Sequence, residues 1–335
     1  MKHLVLLLIV TASLSCAQNP GPPANSLFEQ GETRSFESGD ILIEGEVRNP
    51  GPVDLSRLPV RSAPVKELEL QESGAAFRGA YYVTGYALYD ILNEKAVEKA
   101  PGSDFKPPLD IYAVVENDEG AQVVFSWGEI FYRTSFDILI SKSVQPINPV
   151  KTEETWPLPE MPRLVCGSDL YNVRYLNNPR KITIRSFRGQ FPEGSPETMY
   201  VPQIEFLTAA GSAMIGDIGP AVGQKKYRSV HYGHGRGYKG VHDTTGYALK
   251  DLIEEAKTIP LDRVRDHCVV VSAKDAYRSV FSLGEILNRN DNLDPVLIDN
   301  LDSPRNGRYT LRVPGDFFVD RDVRSVEKIE IARTR

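Results

Sequence analysis

One feature limits this chain more than any other: it repeats itself. Thr84-Gly85-Tyr86-Ala87-Leu88-Tyr89-Asp90-Ile91-Leu92 returns as Thr245-Gly246-Tyr247-Ala248-Leu249-Lys250-Asp251-Leu252-Ile253. Asp110 to Ile130 aligns without gaps to Asp266 to Ile286, and Val124-Phe125-Ser126-Trp127-Gly128-Glu129-Ile130 meets Val280-Phe281-Ser282-Leu283-Gly284-Glu285-Ile286. Further on, Leu164-Val165-Cys166-Gly167 reads against Arg312-Val313-Pro314-Gly315, and Lys181-Ile182-Thr183-Ile184 against Lys328-Ile329-Glu330-Ile331. A unit of about 150 residues is too long for a solenoid repeat, so the pattern predicts two tandem domains. A length of 335 residues suits that count.

The repeat leaves an N-terminal remainder. A basic Met1-Lys2-His3 start precedes an apolar stretch of about eleven residues and then the small residues Ser15, Cys16 and Ala17. This reads as a signal peptide over 1–17, shorter than the roughly 20 apolar residues of a membrane span. Ser13-Leu14-Ser15-Cys16 resembles a bacterial lipobox, which makes Cys16 the expected lipidation site. Cleavage after Ala17 is the other reading. The expected location is exported, periplasmic or cell-surface, with the membrane touched only through an N-terminal lipid. The Pro-rich stretch 18–36 reads as a tether.

Each unit has a legible skeleton. Ile41 to Val47 is a predicted strand, and Val65 to Leu70 alternates as a half-buried strand should. Thr84 is placed as the cap of a short helix with Ala87, Leu88, Ile91 and Leu92 on its apolar face. A hairpin is predicted around Asn117-Asp118-Glu119-Gly120. Ser126-x-x-Glu129 and Ser282-x-x-Glu285 are capping boxes opening two short helices. Strands mixed with short helices predict an α+β class.

In order and spacing these stretches resemble the sulfite oxidase-type molybdopterin-binding domain. The resemblance is carried by Ile43-Glu44-Gly45-Glu46-Val47-Arg48-Asn49-Pro50-Gly51, the alternating Glu67-Leu68-Glu69-Leu70, the Gly85 to Leu92 helix, the Val114 to Phe125 hairpin and Pro162-Arg163-Leu164-Val165. It implies two tandem domains of that fold, 37–187 and a divergent 188–335. It also implies a molybdopterin cofactor in catalytic members, with molybdenum held by a cysteine just after the alternating strand. Here those positions read Gln71-Glu72-Ser73-Gly74 and Thr208-Ala209-Ala210-Gly211. Neither contains the soft thiolate that holds this metal. The expected function is therefore a non-catalytic binding or assembly protein. The alternative is a periplasmic molybdopterin-dependent oxidoreductase with atypical ligation.

Between Gly211 and Thr245 the second unit is roughly two dozen residues longer than the first, an expected insertion at about 212–243. It carries Lys225, Lys226, Arg228, Arg236 and Lys239, interleaved with glycines. These cations, with Arg163 of the first unit, are the candidate site for a small anion or a pterin. His231, His234 and His242 offer a second reading, a metal site. The third reading is a solvated or partner-facing loop, with another exported protein as partner. Cys166 and Cys268 are expected to be buried small hydrophobes, with an inter-domain disulfide as the alternative. A net charge of −6 argues against nucleic acid.

Overall fold

The computed structural model describes residues 29–37, 39–133, 136–192, 194–220, 222–255, 260–301 and 307–334. The signal peptide, Cys16 and most of the Pro-rich stretch lie outside the described residues. The first half opens with β1 (Glu29–Gln30), β2 (Arg34–Ser35), β3 (Asp40–Gly45), β4 (Gly51–Asp54), β5 (Val60–Gln71) and β6 (Gly74–Ala87). It continues with α1 (Leu88–Asn93), β7 (Ile111–Asn117), β8 (Gln122–Ser126), α2 (Trp127–Phe131) and β9 (Ile138–Asn148). It closes with β10 (Arg163–Cys166), β11 (Leu176–Asn177) and β12 (Pro179–Ser186).

The second half holds β13 (Ile204–Thr208), β14 (Gly211–Ile215), β15 (Gln224–Gly233), β16 (Gly237–Ala248) and α3 (Leu249–Glu255). Then follow β17 (His267–Ala273), β18 (Arg278–Ser282), α4 (Leu283–Leu287), β19 (Val296–Asp299), β20 (Tyr309–Arg312), β21 (Val323–Arg324) and β22 (Val326–Arg333).

This overturns the expected α+β pair of sulfite-oxidase-like domains. The chain is mostly β, 49% strand and 13% helix, with four small sheets arranged as a four-bladed β-propeller. The helices have five to seven residues. They turn the chain at strand ends and are too short to form a layer. The blades are not sequential meanders. The sheets run β11-β10-β9-β6-β5, β4-β3-β12-β7-β8, β14-β13-β22-β17-β18 and β15-β16-β19-β20-β21, so each half of the chain supplies two. The second and third share one topology, each with a parallel pair: Ile182 beside Ile43, and Ile329 beside Phe206.

Five local expectations shift. Thr84 caps nothing; it lies in β6, and α1 begins after Ala87 with no side-chain cap. The tether reading fails over 29–36, because β1 and β2 both pair with β9. The insertion at 212–243 is no loop. It contains β14 and a long β15–β16 hairpin, the counterpart of β5–β6. Sequence similarity sets Thr208-Ala209-Ala210-Gly211 against the end of β5. In the fold that segment is the β13–β14 turn, equivalent to the turn between β3 and β4. Lastly, Leu164 pairs with Leu176 as Leu311 pairs with Val323, so Leu164 is equivalent to Leu311, one residue from the match that sequence similarity gives.

The halves meet along β7–β8 and β17–β18. Tyr112, Val114 and Val124 pack with Cys268, Val270 and Val280 in one buried cluster. This explains why Ile111 to Val115 and Cys268 to Val271 are continuous apolar runs: both faces of these strands are covered. Cys166 and Cys268 are free and buried, and burial pushes both thiols well above their ordinary range.

Candidate functional site

Beside that apolar seam lies a fully buried ionic network with approximate two-fold symmetry. Arg174 donates from Nε and Nη2 to Asp169 (2.9 and 2.5 Å) and from Nη1 and Nη2 to Glu129 (3.0 and 2.7 Å). Its Nη1 also reaches the Ser282 hydroxyl of the other half at 3.0 Å. Arg321 mirrors it, donating to Asp316 (2.6 and 2.7 Å), to Glu285 (3.1 Å) and, across the seam, to the Ser126 hydroxyl (3.1 Å). The serines reciprocate: Ser126 donates to Glu285 and Ser282 donates to Glu129. Each arginine lies 4.6 Å from a phenylalanine ring, Arg174 over Phe125 and Arg321 over Phe281.

The capping motifs feed this network. In α4 both arms of the Ser282/Glu285 box form. In α2 the Ser126 hydroxyl accepts from Glu129 N (3.0 Å), while the Glu129 carboxylate goes to Arg174 and Ser282. Burial by itself would raise the Glu129 carboxyl; the Arg174 charge outweighs it and holds the group below its ordinary value. Arg174 and Arg321 have no exposed surface. The network therefore clamps the halves and has no access for a ligand.

The accessible chemistry lies at the β15–β16 hairpin, but the predicted cations do not converge there. Lys225 is tied to Asp294 (2.6 Å), which also takes Lys250 (3.4 Å). Lys226 and Arg228 stand on the exposed outer face, Arg228 3.6 Å from Asp243. Arg236 is exposed in the hairpin turn. Arg163, in the first half, is bound bidentate to Glu67 (3.2 and 2.9 Å). Of these six predicted cations, Lys239 lines a polar cleft.

The three histidines do not converge either. The rings of His231 and His242 stack with centroids 4.1 Å apart and planes 24° apart, while His234 stands edge-on to Phe318. His242 Nε2 is 3.1 Å from the Lys239 carbonyl. Among the described residues no group of three His, Cys, Asp or Glu side chains is placed to hold a metal ion. His231 is buried. Burial first, then the charges of Arg312, His242 and Lys239, push its pKa down to about 4.

Beneath the hairpin tip is a polar cleft of about 340 Å³. It is lined by Lys239, Arg312 and Arg324 and by Asp275, Asp320 and Asp322, with Tyr277 on one wall. Of the acids, Asp322 is paired with a cation, while Asp320 and Asp275 accept neutral donors. Asp322 takes Arg312 (2.5 Å) and the Val313 N–H (3.0 Å). Asp320 accepts the His234 N–H (3.0 Å) at its carboxylate and the Tyr277 hydroxyl (2.5 Å) at its carbonyl. Asp275 accepts the Tyr277 N–H (3.2 Å). Lys239 and Arg324 have no carboxylate partner among the described residues. Tyr232 and His234 rest on Phe317 and Phe318, which fixes the tip at the rim of the cleft.

Sequence reasoning passes over Arg174, Arg321, Arg312 and Arg324. A signal for the first two is present, since Asp169 and Arg174 recur as Asp316 and Arg321 once the halves are aligned by strand pairing. The chain matches no family model, no curated protein and no solved structure.

Proposed function

We propose that this chain is an exported, non-catalytic binding protein whose ligand is a small anion held in the cleft beneath the β15–β16 hairpin. One observation carries the reading: Lys239 and Arg324 line that cleft with no carboxylate partner among the described residues, while Arg312 beside them is spent on Asp322. A phosphate or carboxylate there would gain two charge-assisted contacts without breaking an existing pair. Thiol chemistry is no part of this reading. Both described cysteines are buried and held protonated.

The test is a thermal-shift titration of the full mature chain with inorganic phosphate, sulfate and acetate. A ligand that binds only the folded state raises the melting temperature with concentration. The wild type is expected to respond to at least one anion, and Lys239→Gln to respond less. Equal responses from both chains would refute the site. Export is part of the same proposal: Cys16→Ala should release the protein from the membrane fraction, since the anchor is buried acyl chain.

A further inference from the structure

The two hairpins of the duplicated unit differ in what lies beside them. In the first half β6 is paired along Tyr81 to Ala87 by β9, eleven residues long, and β9 is flanked in turn by β1, β2 and β10. In the second half β19 has four residues and pairs with β16 only at Tyr247 and Ala248. Among the described residues no strand pairs with 238–246 on the side away from β15. Thr84-Gly85-Tyr86-Ala87 and Thr245-Gly246-Tyr247-Ala248 fix the equivalence. The open stretch 242–246 therefore matches the stretch of β6 that β9 covers.

The outer face beside this edge is not that of a bare solvated ribbon. The cross-strand pairs Val230/Val241 and Tyr232/Tyr238 are 40–66% exposed. Next to them stand Lys226 and Arg228. Between Gln224 and Ala248 there are five basic residues and one acid, in a chain of net charge −6. An uncovered edge with exposed valines invites pairing, and natural sheets otherwise blunt such edges.

We propose that the open edge of β16 takes up an extended, acidic segment of a partner protein as an added antiparallel strand, in the place that β9 fills in the first half. Main-chain hydrogen bonds to 242–246 would supply affinity. Lys226 and Arg228, the latter held only loosely by the exposed Asp243 at 3.6 Å, would select acidic side chains, and the Val and Tyr pairs would take the apolar ones. A free edge favours a peptide over an anionic membrane, because only a peptide can pair with its N–H and C=O groups. This inference rests on the reading of the hairpin as the binding element, and its test separates the two.

The probe is a fluorescent octapeptide alternating Val and Glu, followed by anisotropy against the full mature chain. Two controls accompany it: the same peptide with alternate backbone nitrogens methylated, and one with Lys for Glu. The expected result is saturable binding of the acidic peptide and at least tenfold weaker binding of both controls. Lys226→Glu/Arg228→Glu should abolish binding, and Val241→Glu, which puts a like charge at the edge without touching the outer cations, should weaken it. Equal binding of the methylated peptide would overturn the proposal, as would capture of anionic phosphatidylglycerol vesicles but not of peptide. If phosphate still binds the cleft while the acidic peptide does not, this inference fails alone. If neither binds, the hairpin reading fails with it.

Discussion

Arg174 Nη1 lies 3.0 Å from the Ser282 hydroxyl, so a side chain of the first half is bonded to the capping serine of a helix in the second. Arg321 returns the contact to Ser126 at 3.1 Å. Neither half can satisfy its own buried network alone.

Removing one arginine strands two carboxylates without solvent. Arg174→Met and Arg321→Met should each cost about 3–5 kcal/mol in guanidinium unfolding. The double variant should lose less than the sum, because the two sites are coupled through the Ser126–Glu285 and Ser282–Glu129 hydrogen bonds. A loss near zero for either would mean that the network does not hold the halves.

The glycines under these arginines are a second handle. A Cβ on Gly284 would overlap Arg174 Cδ, and one on Gly128 would overlap Arg321 Nε. Because neither arginine has room to move, Gly284→Ala and Gly128→Ala should each destabilise by about 1–3 kcal/mol. An exposed-site control, Gly235→Ala, has open space around it and should be close to neutral by comparison.

Part of this architecture is legible in the sequence. The strand content of β3, β5, β7 and β8 follows from alternation and β-branched runs, and the Ser126 and Ser282 caps from the S-x-x-E pattern. Two things are not. Fold class depends on helix length, and periodicity does not reveal that a helix such as α2 stops after five residues. The site depends on register. Setting 208–211 against the end of β5 turns a strand pair into an apparent insertion, and a one-residue slip at Leu164 hides the equivalence of Arg174 and Arg321. A β slip of one residue reverses faces, so the error moves functional side chains as well as boundaries.

Arg133 and Arg289 occupy equivalent positions after α2 and α4, with opposite fates. Arg289 is bonded to Asp291 through Nε at 2.9 Å. The sequence equivalent of Asp291 is Ser135, and Arg133 has Nε and Nη2 buried without a hydrogen-bond partner among the described residues. Burial first, then Arg289, depresses its pKa. Arg133→Met should therefore gain stability, by about 1–3 kcal/mol from the relieved polar groups. Arg289→Met should lose it. Denaturant midpoints of the two variants moving in the same direction would contradict this asymmetry.

His231 gives the hairpin a pH dependence of definite sign. Its folded pKa, about 4, lies below the ordinary 6.5, so the unfolded chain binds the extra proton first. The stabilisation is complete above pH 6.5 and is lost as pH falls toward 4. His231→Phe keeps an apolar ring in the place and removes the titration. Its melting temperature should fall less than that of the wild type between pH 6.5 and 4. Parallel curves would show that His231 is not the titrating group.

If Lys239 and Arg324 hold an anion, calorimetric titration of inorganic phosphate into three chains will register it. The chains are the wild type, Lys239→Gln/Arg324→Gln and, as a control of equal charge change outside the cleft, Lys226→Gln/Arg228→Gln. The wild type is expected to bind measurably, the cleft variant at least tenfold more weakly, and the control within about twofold of wild type at about 0.15 M salt, where long-range charge is screened. Equal weakening in both variants, or none in the cleft variant, would contradict an anion site in the cleft.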